Sequence, residues 1–241
     1  MTYLFLFACG AIAWFFSTVV AGGAATLLIP VISFLLGAQL VAPVVSLAAL
    51  IANPSRMLMF RHDIDWKVLS YMIPGSILGA ILGAWSLTLI DTRLIQLLLG
   101  LFLVTYVLQE RFSKSELSLQ MRLPGFFPLG FGVSYLSGLV GATGPLHNPF
   151  MMRYGLMKEK LVGTKSVNSL VMQLTKLISY GGLGLLTLDV GVYGITLGLG
   201  ATLGVYLARH QLRKIEVQQF RQYALAFMFV SGITLFIKAL S

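Results

Sequence analysis

Apolar stretches long enough to cross a bilayer recur along this chain from end to end, separated by little more than short charged clusters. A helix rises about 1.5 Å per residue, so about 20 apolar residues cover a hydrocarbon core of roughly 30 Å. Residues 39–60, 67–89, 93–109, 158–180, 190–208 and 221–240 reach or approach that length. Only 10% of the 241 residues are charged and the mean hydropathy is +0.88. A soluble domain carries roughly 25% charged residues, and too few polar side chains are present here to coat one. The expected fold class is an all-α integral membrane protein, a polytopic helical bundle embedded in lipid.

Two further stretches, 3–36 and 124–155, are apolar but broken midway, at Gly22-Gly23 and across "GATGP" (141–145). The limb after each break spans ten to twelve residues, too short to cross alone. Each stretch is either a span with a short interfacial helix or a re-entrant hairpin, and the charges favour the hairpin. Fourteen of the seventeen Lys and Arg fall in four clusters, Arg56 to Lys67, Arg111 to Arg122, Arg153 to Lys165 and Arg209 to Arg221. Cations at the ends of apolar spans mark the cytoplasmic side. With all four clusters on that side, 124–155 must enter and return, and residues 1–37 form a matching hairpin from the opposite face. Both termini are then non-cytoplasmic, in a multi-pass protein of a cell membrane, expected to be a bacterial inner membrane. The net charge of +9 therefore anchors spans, and nucleic acid is not an expected partner. Because the first cation is Arg56, residues 4–22 lack a basic leader and are expected to be retained.

The two halves resemble each other. Pro30 and Pro149 both follow a glycine break and differ by 119, while "NPSR" (53–56) and "QLTK" (173–176) align at an offset of 120. "GSILGAILGA" (75–84) matches "GLGATLGVYLA" (198–208), with Gly79 and Gly83 over Gly200 and Gly204. The expected organisation is a first transmembrane repeat at 1–110, a basic cytoplasmic linker at 111–123 and a second repeat at 124–241. Each repeat is a broken or re-entrant hairpin followed by three spans. That is an odd number of crossings, so the second repeat is inverted, and breaks at matching places of two inverted repeats point to a transporter's binding site.

Irregular backbone at membrane depth is tolerated only where protein or a water-filled cavity satisfies it. Pro145 after Gly144 suits the first turn of a half-helix, whose free N–H groups favour an anion. All eight Asp and Glu fall in or beside loops, whereas Lys176 lies well inside a span. A lysine at the centre of a bilayer helix costs about 2.5–3.5 kcal/mol and is normally kept for a partner or pathway. Two readings are open: an anionic substrate supplies the missing counter-ion, or Lys176 snorkels to the interface. Arg56 shares its aligned position. The substrate-binding candidates are Lys176, Arg56, Asn53, Gln173, Ser55, Thr175, Gly22, Gly23, Gly141, Thr143, Gly144, His147 and Asn148. Ser46, Ser166 and Asn168 are neutral polar groups nearby, although hydroxyls in membrane helices often bond only to the preceding turn. Gly79 and Gly83, four residues apart, read as helix-packing positions.

No HExxH, Ser-His-Asp pattern, Cys/His cluster, P-loop or dinucleotide fingerprint is present, and Cys9 is the single cysteine. No enzyme activity, catalytic residue, metal site or cofactor is expected. The layout resembles the sulfite exporter TauE/SafE family, also called the 4-toluene sulfonate uptake permease family. The resemblance rests on Gly22, Gly23, Pro30, Gly37 and Ser46 in the first half, and Gly138, Gly141, Gly144, Pro149, Gly155, Gly163, Thr164 and Ser166 in the second. "RHDIDWKVLSYMIPGSILGAILGA" adds to it. It implies secondary transport of a small organosulfur compound or sulfur oxyanion of the sulfite, sulfonate or sulfoacetate class. A passive anion channel and a non-transporting scaffold subunit are the alternatives. The expected partners are the small anion, the lipid bilayer and a coupling ion (proton or sodium), and a homodimer is compatible with the sequence.

Overall fold

The computed structural model describes residues 2–20, 24–112, 121–211 and 217–240. They form α1 (Thr2–Val20), α2 (Ala24–Leu36), α3 (Ala38–Met59), α4 (Trp66–Leu89), α5 (Thr92–Phe112), α6 (Phe126–Val140), α7 (Asn148–Tyr154), α8 (Lys158–Gly182), α9 (Leu188–Gln211) and α10 (Val217–Leu240). The only other regular elements among the described residues are short 3-10 turns at Arg61–Asp63, Leu123–Gly125 and Gly144–His147. Ala38–Met59, Trp66–Leu89, Thr92–Gln109, Leu123–Val140 and Leu188–Ala208 are long and apolar enough to cross a membrane. The chain is thus a polytopic helical membrane protein. α8 is 25 residues long, yet its composition is more polar because Asn168, Gln173 and Lys176 are buried inside the bundle.

The break in the second half falls where glycine and proline place it. α6 stops at Val140, and Gly141 turns the chain with φ of 91°. The 3-10 turn Gly144–His147 leads into α7. The limb lengths differ from expectation: α2 has 13 residues, and α7 has only 7 because four residues after the second break wind as the tighter turn. Pro145 lies in that turn, and Pro149 takes the first turn of α7 instead. Gly22 and Gly23 lie outside the described residues. Loop carboxylates act as helix caps. Asp65 accepts a hydrogen bond from Val68 N at 3.1 Å and Asp91 one from Leu94 N at 2.7 Å, opening α4 and α5. Gly37 and Gly155, with φ of 100° and 101°, reverse the chain from each short limb into the long helix that follows.

Contacts along the helices fix their relative directions. α3 and α8 are antiparallel: Asn53 meets Ser169, and Phe60, further along α3, meets Gly163, earlier in α8. α4 runs parallel to α6, with Gly75, Gly79 and Gly83 against Phe127, Phe131 and Tyr135. α1 runs parallel to α9, with Phe7 and Ala11 against Gly200 and Gly204. Leu47 and Ile51 against Gly194 and Gly198 make α3 parallel to α9, and Asp65 with Thr164 and Ser76 with Asn168 make α4 parallel to α8. α1, α3 and α9 therefore point one way, and α4, α6 and α8 the other. Since α1 and α3 share a direction, the short α2 between them runs back, and α7 does the same between α6 and α8. α5 and α10 pack antiparallel, Gly100 on Gly232 and the Arg93 guanidinium on the Ala239 carbonyl.

The glycines of α4 and α9 make the closest approaches. A β-carbon at Gly79 would lie 2.1 Å from the Phe131 carbonyl oxygen, and one at Gly200 would lie 2.0 Å from that of Phe7. Only glycine admits backbone at that distance, so the packing reading of Gly79 and Gly83 matches the geometry. On the outside of α4 and α9, Leu78, Ile81, Trp85, Leu199, Leu203 and Tyr206 present apolar surface, as lipid contact requires.

Candidate substrate site at the helix breaks

The site is built along one face of α8. Lys165, Ser169, Gln173, Lys176 and Tyr180 recur every three or four residues, which aligns them in a stripe. That stripe faces α3 and the end of α6.

A helix leaves its last carbonyls without intrahelical donors, and a cation there also meets the negative end of the helix dipole. At the end of α6 those donors come from α8. The Lys176 ammonium donates to Ser137 Oγ at 3.0 Å, the Gly141 carbonyl at 3.1 Å and the Ser137 carbonyl at 3.4 Å. One turn on, the Tyr180 hydroxyl donates to the Gly138 carbonyl at 2.6 Å. Lys176 has no exposed surface, so it does not snorkel. The partner that the sequence leaves open for it is, in this structure, the end of α6.

Arg56 holds the corresponding place in α3. Its Nη2 donates to Ser17 Oγ at 3.1 Å and Thr18 Oγ1 at 2.9 Å, in the last turn of α1. Each of the two aligned cations therefore grips the helix that precedes a break. Arg56 keeps a further donor in reserve, since its Nε is buried and has no hydrogen-bond partner among the described residues.

The remaining candidates distribute around this frame. Asn53 is buried and donates to Ser169 Oγ at 2.9 Å, tying α3 to α8. Gln173 is buried and its Oε1 has no hydrogen-bond partner. The register that pairs Asn53 with Ser169 puts Ala49 opposite Gln173, which explains the orphaned oxygen. Asn148 accepts from Lys165 Nζ at 2.8 Å, joining the start of α7 to α8. Thr143, fully buried, folds the break back by donating to the Val133 carbonyl at 2.9 Å. Gly144 opens the 3-10 turn and buried His147 ends it. Ser55 is half-buried on α3. Thr175, Ser46 and Ser166 bond to the carbonyls of Val171, Ala42 and Val162, one turn back on their own helices. Asn168 accepts from Ser76 Oγ at 2.9 Å and ties α8 to α4.

Sequence reasoning missed Lys165, which it counted only among loop anchors, and Ser137, Ser169, Tyr180, Ser17 and Thr18, which receive or support the named groups. The spacing of the α8 stripe was the available signal. Among the described residues no carboxylate pairs with Arg56, Lys165 or Lys176, and no group of three His, Cys, Asp or Glu is placed to hold a metal ion.

Apolar outside, with cations and amides gathered inside around broken helices, this is the build of a membrane transport protein. The family model of the sulfite exporter TauE/SafE matches residues 6–235, nearly the whole chain, and the protein belongs to that family. Comparisons with curated proteins and with solved structures return no match.

Proposed function

We propose that the protein is a secondary transporter of a small anion, an organosulfur compound or sulfur oxyanion of the sulfite, sulfonate or sulfoacetate class, working by alternating access. The observation that carries this reading is the pair of cations gripping the two breaks, Arg56 on α1 and Lys176 on α6, with no carboxylate to neutralise either among the described residues. Membership of a sulfite-exporter family supports the substrate class.

The proposed framework is two inverted repeats, 1–110 and 124–241, joined by the basic segment 111–123. Three features support it. The helix order of the first half recurs in the second. α1 and α6 run in opposite directions, as do α3 and α8. The seams are exchanged, α1 on α9 and α6 on α4, with Gly79 and Gly83 taking in one seam the places of Gly200 and Gly204 in the other. Breaks, Asn53, Gln173, Thr143, His147 and Asn148 then line the route between the repeats, and Lys176 serves it by holding the end of α6.

The helix directions bring the ends that carry all four basic clusters to one face. We assign that face to the cytoplasm, which leaves both termini outside. In a Cys9→Ala background, a cysteine at Lys158 is expected to react only with reagents reaching the cytoplasmic side. Labelling of intact cells by an impermeant reagent would overturn the hairpin topology.

The function itself is tested with purified protein in a thermal-shift screen against sulfite, thiosulfate, sulfoacetate, taurine and simple carboxylates, followed by flux in proteoliposomes. Sulfur oxyanions are expected to raise the melting temperature and to cross with saturable kinetics. Stabilisation by cations or neutral solutes alone would refute the anion reading. Linear, non-saturating flux would replace the transporter with a channel.

A further inference from the structure

Two cations face each other across the antiparallel packing of α3 and α8. Arg56 lies one turn beyond Asn53 on α3, and Lys165 lies one turn before Ser169 on α8, so the Asn53–Ser169 hydrogen bond sets the two charges side by side. Among the described residues every hydrogen-bond partner they have is neutral: Ser17 and Thr18 for Arg56, and the Asn148 amide oxygen for Lys165. Arg56 Nε is buried and has no acceptor among the described residues. Lys176 is in a different situation, because three acceptors of α6 already meet its three protons.

We infer that Arg56 and Lys165 together form the seat of the transported anion, one to two turns inside the face that carries the basic clusters, and that the seat selects dianionic oxyanions over monoanionic ones. This rests on the anion-transport reading above and assigns its ligands. The unused Nε–H of the Arg56 guanidinium offers a charge-assisted hydrogen bond to one oxygen of an oxyanion. The lysine ammonium supplies a second point charge from the facing helix. Two adjacent positive charges are balanced by two negative ones, so thiosulfate and sulfite in its dianionic form suit the seat better than methanesulfonate or taurine. Asn148 holds Lys165 in place from the segment just after the second break, which couples occupancy of the seat to the position of α7. A closed pair of unneutralised cations also explains why their bonds run to hydroxyl and amide oxygens, which share the charge without cancelling it.

The test is equilibrium binding to the full-length protein in lipid nanodiscs, with thiosulfate and methanesulfonate as probes. Wild type is expected to bind thiosulfate at least tenfold more tightly than methanesulfonate. Lys165→Gln should raise the thiosulfate Kd tenfold or more and erase the preference, while Lys165→Arg, which keeps the charge, should stay within about threefold of wild type. Arg56→Gln should weaken both probes. Because it also releases Ser17 and Thr18, its insertion is checked by size-exclusion profile, and if it fails to fold, Lys165→Gln decides alone. Unchanged thiosulfate binding by Lys165→Gln would overturn this assignment while leaving anion transport intact. Absence of binding of any anion by wild type would overturn the assignment and the transport reading together.

Discussion

Lys176→Met is expected to cut transport at least tenfold without unfolding the protein. The substitution removes the ammonium that three acceptors of α6 share and keeps most of the stem's packing. Leaving a buried carbonyl unpaired costs about 1–3 kcal/mol. Against that, removing a buried charge recovers a desolvation penalty of several kcal/mol, so the two effects offset. The Ser137 hydroxyl already donates to the Gly141 carbonyl at 3.4 Å and continues to serve it. The melting temperature should therefore move by only a few degrees, while the end of α6 loses the anchor that fixes the break. In proteoliposome flux the loss should fall on maximal rate, at least tenfold, with KM little changed, since on the proposed reading Lys176 positions the break and the substrate sits elsewhere. Lys176→Arg keeps the charge but adds bulk at a position with no exposed surface, and should recover only part of the rate. Wild-type flux by Lys176→Met would end this account of the break.

The other large effect lies in the glycine seams. A β-carbon at Gly79 would sit 2.1 Å from a carbonyl oxygen of α6, so even Gly79→Ala must push two backbones apart. Overpacking of this kind costs about 1–3 kcal/mol, and Gly79→Leu is expected to prevent accumulation of folded protein. Gly200→Ala, at 2.0 Å from the Phe7 carbonyl in the other seam, should match Gly79→Ala in size. Gly132→Ala provides the control, because nothing stands within 4 Å of a β-carbon there. Size-exclusion yield and thermal melting in detergent read all four. A Gly79→Leu protein as stable as wild type would show that the seam is looser than described.

Much of this architecture is legible in the sequence because lipid removes choices. Apolar length alone sets α3, α4 and α5 to within a few residues, since no other backbone satisfies itself in hydrocarbon. The break at Gly141 is equally plain, because glycine and proline are the residues that stop a helix. What escaped the sequence depends on which faces meet. Lys165 reads as a loop anchor until α3 is laid antiparallel on α8. The counter-charge of Lys176 is invisible because it is backbone: carbonyls of Ser137 and Gly141, which no side-chain inventory contains. Ser17 and Thr18 become Arg56 ligands only because α1 and α3 both pack on α9, which brings the end of α1 within reach of Arg56. The exact length of α7 is also hidden, because the four residues Gly144–His147 wind as a 3-10 turn ahead of it, and sequence alone does not separate that turn from the first turn of an α-helix.

The exchanged seams also set an order of assembly during synthesis. α4 leaves the ribosome with its glycine groove bare, and the helix that fills it, α6, comes later, after the basic segment at 111–123. α1 waits longer still, since its partner α9 emerges when most of the chain is already made. The first half therefore enters the bilayer as an unfinished structure whose grooves are occupied by lipid, and the arrival of the second half displaces that lipid and locks both halves in one late step. A chain truncated before α9 has α6 seated in the groove of α4 but leaves α1 without its partner, an incomplete clasp with one open seam for membrane quality control to recognise.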